Sequence, residues 1–282
     1  MKKVLILGAG GQAGRELAEL YPESLKVYHK SEKTGDSVDI ADRSTISNLI
    51  REYCPEVVIN AAALANVDLC EKNHPLAFAV NGEALRSIVE ACRACGSHLV
   101  HISTDYVFDG SDGNYSEDSI PNPINYYGLS KLIGDIYALS YENSAVVRTS
   151  GVYGYNRNFP LFVLEMLENG KPVNAIDGYY SPIHANLLAK SISSLIDKNY
   201  KGIINVAGER VSRFDFANKI AEVFALDRSL ITSRQNVTSM DAKRPFDSSL
   251  NLSRAKGKLD FDFHSIGANL NAFKRKLENF RK

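Results

Sequence analysis

Read for apolar against polar positions, the chain alternates short, continuously hydrophobic runs with longer stretches of helical period. "KVLILG" is apolar at successive residues, which suits a strand buried on both faces of a parallel sheet. "QAGRELAELY" follows as a helix. The alternation repeats, with "LKVYHK", "EVVINAAA", "HLVHIST" and "AVVRTSGVYG" as strands and "RSTISNLIREYC", "GEALRSIVEACRA" and "YYGLSKLIGDIYALSY" as helices. Repeated strand–helix units predict an α/β fold with a doubly wound parallel sheet. Such sheets bind ligands at the carboxyl ends of their strands.

After about residue 155 the pattern changes to a mixed α/β region containing "FPLFVLEMLENGK", "SPIHANLLAKSISSLIDKN" and "GIINVAGERVSRFDFANKIAEVFA", then the polar "TSMDAKRPFDSSLNLSRAKGK". No low-complexity linker and no internal repeat intervenes. The expected division is a nucleotide-binding domain over 1–155 and a smaller substrate-binding lobe over 156–282, with elements free to cross back to the first sheet.

Composition narrows the partners. The 282 residues carry 33 Lys and Arg against 33 Asp and Glu, so no net field draws nucleic acid or an anionic membrane. An anionic ligand must be held by local geometry. No apolar run reaches the roughly 18 residues that span a bilayer. "MKKVLILGAGG" begins like a signal peptide, but its short apolar run meets glycines, and a buried first strand is the better reading. Of the four cysteines, Cys54, Cys70, Cys92 and Cys95, the last two form a lone CxxC inside a helical pattern. A metal or redox role would need more partners, so plain thiols, no metal site and a cytoplasmic location are expected.

Candidate chemistry clusters at the predicted strand ends. The first strand runs into Gly8-Ala9-Gly10-Gly11-Gln12-Ala13-Gly14, which fits both G-x-x-G-x-x-G and G-x-G-x-x-A. Glycines there allow a tight turn and let backbone N–H groups approach a pyrophosphate at a helix start, so the sheet is Rossmann-type and binds a dinucleotide. The second strand ends in His29, Lys30 and Ser31 before any acid, which favours NADPH, with NADH as the alternative. Asp39 either caps the next helix or reaches the adenine. Asn60 and the alanines after it offer small side chains where a flat cofactor would lie. Ser103 and Thr104 end a later strand, and Tyr127 and Lys131, four apart, share one helix face. Reduction of a carbonyl builds negative charge on oxygen and needs a proton donor. Tyr127 can be that donor, the Lys131 ammonium can lower its pKa, and the Thr104 hydroxyl can share the substrate oxygen. Arg244, followed by Pro245, Asp247 and Ser248, could grip a diphosphate or stiffen a surface turn. His184 and Asn186 either lie at the cleft or start a helix, with Asn186 preferred as its cap.

Taken together, "GAGGQAG", "NAAALANVDLCE", "STDYVFDG", "PINYYGLSK", "VVRTSGVYG", "DGYYSPIHANLLA" and "AKRPFDSSL" resemble the extended short-chain dehydrogenase/reductases, and within them the dTDP-4-dehydrorhamnose reductase family. The resemblance runs from residue 8 to about 250, and "STDYVFDG" and "KRPFDSSL" are its most specific parts. It implies NAD(P)H-dependent reduction of the C4 ketone of a nucleotide-linked 6-deoxy sugar. By it, Tyr127 would donate the proton, and Lys131 would hold the nicotinamide ribose and tune Tyr127. Thr104 would bind the keto oxygen and Asp105 the sugar. Gly11, Gln12 and Ala13 would carry the pyrophosphate, with Asp39, Ile40, Ala61, Ala62, Ala63, Leu64 and Ala65 along the cofactor. Where that family often has a Trp beside the sugar, this chain has Gly151, and it contains no Trp at all. A homodimer is left open. Two alternatives remain: a related epimerase or dehydratase, or a non-catalytic relative resembling the regulatory β subunit of methionine adenosyltransferase.

Overall fold

The structure, a computed structural model, describes residues 2–29, 36–155, 158–234 and 241–280. The first half follows the predicted alternation. Strands β1 (Val4–Leu7), β2 (Leu25–Tyr28), β3 (Asp36–Ser37), β4 (Val57–Asn60), β5 (His98–Thr104) and β6 (Ser144–Thr149) alternate with helices. These are α1 (Gln12–Leu20), α2 (Arg43–Tyr53), α3 (Val67–Lys72), α4 (His74–Ala77), α5 (Ala84–Cys95) and α6 (Tyr126–Leu139). Between α4 and α5 the helix continues through a π turn, Phe78–Glu83.

In the second half come α7 (Phe159–Glu168), β7 (Val173–Ile176), β8 (Tyr179–Tyr180), α8 (Ala185–Asp197), β9 (Gly202–Asn205) and β10 (Val211–Ser212). They are followed by α9 (Arg213–Phe224), β11 (Ile231–Arg234), α10 (Ser253–Lys256) and α11 (Ile266–Phe280). The main sheet has the order β3-β2-β1-β4-β5-β6-β9, and every pairing in it is parallel. Its last strand, β9, thus returns from the second half of the chain.

Two-residue periodicity explains how both faces are buried. Ile6, Ile59, Val100 and Val147 point into one core, closed by Leu17 of α1 and Leu188 and Ile192 of α8. Their neighbours Leu5, Val58, Leu99 and Val146 point into the other, closed by Ile46 and Ile50 of α2 and Leu85 and Ile88 of α5. Each such side chain contributes about 1.5–3 kcal/mol on burial, before the entropy of ordering is set against it. A third core, including Val163, Leu164, Phe216, Ile220 and Phe273, holds the β7–β11 and β8–β10 ribbons to α7, α9 and α11.

Two expected caps are corrected. Asp42, not Asp39, caps α2 by accepting from Thr45 N at 3.2 Å, because Asp39 is one turn too early and accepts from Ala41 N instead. Asn186 does not cap α8, whose N-cap is His184; its amide donates to Glu16 Oε2 at 2.7 Å and ties α8 to α1. Among the described residues no helix is long and apolar enough to cross a membrane.

Candidate active site

The glycine loop is shaped by contact. Gly8 has φ +81°, and a Cβ there would lie 2.6 Å from Ala62 N, so β1 can turn into α1 only without a side chain. Gly11 is the N-cap of α1 and no side chain caps that helix, which leaves its first-turn N–H groups for an anion. The Gln12 side chain turns aside and accepts from Tyr155 N at 2.7 Å.

Two hollows meet at this loop. One, of about 390 Å³, is lined by Gly11, Gln12, Ala13, Ala61, Ala63, Ala65, Thr104, Asp105, Tyr127, Lys131 and Gly151, among others. The other, of about 270 Å³, is lined by Gly8, Tyr28, His29, Ile40, Ala62 and Val80, and shares Gly11, Ala61 and Ala63 with the first. They make one elongated cleft across the carboxyl ends of β1, β2, β4 and β5, a shape that fits an extended dinucleotide with a substrate at one end. Lys30 lies outside the described residues. Asp39, Leu64 and Arg244 line neither hollow. Leu64 faces away because its backbone is pinned on both sides by Asn81 of the π turn, its N–H donating at 2.8 Å and its carbonyl accepting at 3.1 Å.

At the inner end, Asn125 caps α6 by accepting from Gly128 N at 2.8 Å. A Cβ at Gly128 would lie 2.0 Å from Tyr106 O, so this glycine lets α6 settle on the turn after β5 and brings Tyr127 to Thr104. The Thr104 hydroxyl neighbours the Tyr127 phenol closely enough to favour its ionised form. Thr104 also donates to Asp105 Oδ1 at 3.0 Å and accepts from Tyr106 N at 3.2 Å. Lys131, 1% exposed, donates to Ile102 O at 2.7 Å and lies 3.3 Å from His101 Nε2.

Burial pushes the Tyr127 phenol up, and the neighbouring Thr104 hydroxyl only partly opposes this. Burial likewise pulls the Lys131 ammonium down to about 8, against the charge of Asp135. With burial as the dominant influence, the phenol holds its proton at neutral pH. That suits a proton donor.

Behind Lys131 lies a polar layer that sequence reasoning missed. His101 Nδ1 is 3.1 Å from Asn60 Nδ2, and His101 Nε2 faces both Lys131 and Asp135. Burial first, and the Lys131 charge second, keep this ring neutral. Arg148 closes the layer by donating to Asp135 at 3.3 Å. The available signal was a His and an Asn inside otherwise apolar strands.

The second half of the chain backs this end of the cleft, although the residues that line the two hollows all lie at or before Val152. Asp105 lines the hollow, yet its carboxylate accepts from Thr104, from Ser150 at 2.7 Å and from Ser248 at 2.5 Å. It thus ties the end of β5 to β6 and the later segment while still lining the hollow where a sugar contact is expected. Arg244 is also committed elsewhere, pairing with Asp68 of α3 at 2.9 Å and donating to Ala242 O at 2.8 Å. Gly151 has φ +49°, and a Cβ there would lie 2.7 Å from the Tyr180 ring. Tyr180 therefore occupies the space that a larger residue at 151 would need. Among the described residues no group of three or more His, Cys, Asp or Glu is placed to hold a metal ion.

Comparison with known proteins agrees with this geometry. The RmlD substrate binding domain family matches residues 1–279. A hypothetical dTDP-4-dehydrorhamnose reductase of Sulfolobus tokodaii superposes with a TM-score of 0.89 at 48% identity, covering 93% of this chain and 96% of that one. A dTDP-4-dehydrorhamnose reductase of Bacillus anthracis, solved in complex with NADP, gives a TM-score of 0.88 at 29% identity over 98% and 99% of the two chains. A probable low-salt glycan biosynthesis reductase of Haloferax volcanii is 36% identical over 274 residues, 90% of this chain and 91% of its own.

Proposed function

The chain belongs to the RmlD substrate binding domain family, and we propose that it is an NAD(P)H-dependent reductase of a nucleotide-linked 4-keto-6-deoxy sugar, turning dTDP-4-dehydro-L-rhamnose into dTDP-L-rhamnose. One observation carries the reading: Thr104, Tyr127 and Lys131 converge on the wall of a hollow that also touches the glycine loop. Gly8, Gly11, Gln12 and Ala13 would hold the cofactor's diphosphate, Ile40 and Ala61 to Ala63 its flat parts, and Lys131 its inner end. When bound, the dinucleotide supplies the hydride.

The chain's own residues then handle the proton. The substrate oxygen would lie between Thr104 and Tyr127, which line the same hollow. As negative charge develops on that oxygen, the neutral Tyr127 phenol gives up its proton. Donation by a positioned side chain is worth about 10²–10⁴ in rate. Thr104 would turn its hydrogen from Asp105 to the same oxygen. Asp105 keeps Ser150 and Ser248 as donors, so its charge stays solvated through the exchange. Lys131, anchored by Ile102 O, places a positive charge beneath the phenolate that results.

The test is loss of 340 nm absorbance from NADPH with dTDP-4-dehydro-L-rhamnose, run beside Tyr127→Phe. Turnover by the parent and none by the variant is expected. NADPH binding without turnover by the parent would sink the substrate assignment. A dinucleotide that survives gel filtration and is regenerated in each cycle would move the chain to the epimerases or dehydratases.

A further inference from the structure

None of the four cysteines lines either hollow, and the fold pairs two of them differently from the CxxC spacing. We propose that Cys54 and Cys95 form an oxidisable dithiol, a modification site that reacts with small-molecule disulfides and closes into a Cys54–Cys95 cross-link. Cys54 ends α2 and Cys95 ends α5, two helices that pack side by side on one sheet face through Ile46, Ile50, Ile88 and Val89. Both ends converge on one carbonyl. Ile50 O accepts from Cys54 N at 2.7 Å and from the Cys95 thiol at 3.7 Å. Sharing that carbonyl makes the two residues immediate neighbours, and the Cys54 thiol is felt by that of Cys95. Cys54 is exposed and Cys95 half-buried, whereas Cys92 is sealed in the core.

The chemistry balances with an external disulfide, R–S–S–R, as oxidant. The Cys54 thiolate attacks one of its sulfurs and expels RS⁻, leaving a mixed disulfide. Cys95 then attacks the Cys54 sulfur and expels the second RS⁻. Two protein thiols are oxidised, one small disulfide is reduced to two thiols, and the two protein protons pass to them. Burial, with Cys54 adding to it, pushes the Cys95 thiol up to about 11. The exposed Cys54 is therefore the point of first attack, and Cys95 resolves the adduct.

The site lies away from the cleft. Val57 opens β4 just after Cys54, and His98 opens β5 just after Cys95, so both thiols sit at the amino ends of strands whose carboxyl ends carry Asn60 and Thr104. The length of β5 alone separates them from Thr104 by about 20 Å. Cross-linking should therefore change stability and leave turnover alone.

The experiment treats the full chain with excess oxidised glutathione, blocks remaining thiols and maps peptides by mass spectrometry without reduction. The expected result is a Cys54–Cys95 peptide and a rise in Tm of roughly 5 °C, reversed by dithiothreitol, with NADPH turnover unchanged. Cys95→Ser should stop at glutathione on Cys54, and Cys54→Ser should give neither cross-link nor Tm shift. A Cys92–Cys95 link, glutathione persisting on Cys54 of the parent, or unmodified thiols would each overturn the proposal. Apart from turnover, these readouts do not depend on which sugar the cleft reduces.

Discussion

Two cations near the cleft, Lys131 and Arg244, live in different company. Lys131 is 1% exposed and rests on a neutral carbonyl and a neutral imidazole, with Asp135 acting across space. Arg244 grips the Asp68 carboxylate, and that hydrogen bond holds Asp68 below the usual carboxylate range. An ammonium buried without a carboxylate partner in direct contact carries a standing desolvation penalty that the surrounding fold must absorb. Such a group is free to meet a ligand, and strained pKa values of this kind gather at functional sites. A guanidinium already saturated by a carboxylate is holding structure together. The sequence offered both residues as binding groups, and the difference between them lies in who their neighbours are.

The largest effects should fall on the Lys131 side. Tyr127→Phe and Lys131→Met should each cut turnover by at least about a hundredfold in the 340 nm assay. Tyr127→Phe should keep its cofactor affinity in a fluorescence titration, while Lys131→Met should lose some. A loss as large from Arg244→Met would break the comparison.

The penalty on Lys131 should also be visible without substrate. Its folded pKa of about 8 lies below the ordinary 10.5, so between these values the unfolded chain binds the extra proton and stability rises with pH. Below pH 8 both states are protonated, and the folded chain bears the whole penalty, on the order of 3 kcal/mol. Urea midpoints should therefore favour Lys131→Met over the parent most below pH 8, with the gap closing toward pH 10.5. A gap independent of pH would mean that the ammonium is better solvated than its contacts indicate.

Gly151→Ala tests the wall of the hollow that Lys131 also lines. It forces a side chain into positive φ against the Tyr180 ring, and should lower stability by about 1–3 kcal/mol. Tyr180→Ala in the same chain should relieve the clash while leaving the backbone strain. Smallest of all, Arg244→Met should lower stability by about 1 kcal/mol and shift KM less than Tyr127→Phe shifts kcat. A large rise in KM would show that Arg244 leaves Asp68 to meet a diphosphate.

What could be read from the sequence was whatever is written locally. The glycine loop, the buried β1 and β4, and the Tyr127–Lys131 helix face each fit within a few turns of chain, where period and turn chemistry act. The Arg244–Asp68 and Ser248–Asp105 contacts join residues 176 and 143 positions apart, and no local pattern announces them. Asp39 and Asp42 show a finer limit, since both suit a cap and only the start of α2 decides between them. Tyr180 could not be foreseen as the occupant of the space beside Gly151, because its place depends on the β8–β10 ribbon folding back.

The position of β9 bears on how the protein is made. β6 is buried at every residue, but only β5 covers one of its edges until Gly202–Asn205 arrives on the other. During synthesis about 50 residues separate the two strands, several seconds of translation at about 5–20 residues per second. Throughout that interval the nucleotide-binding half presents an open hydrophobic edge, the kind of surface on which nascent chains pair with one another. A ribosome stalled near residue 155 would thus hold a nearly complete cofactor site with an adhesive flank, and the later segment acts as its covering.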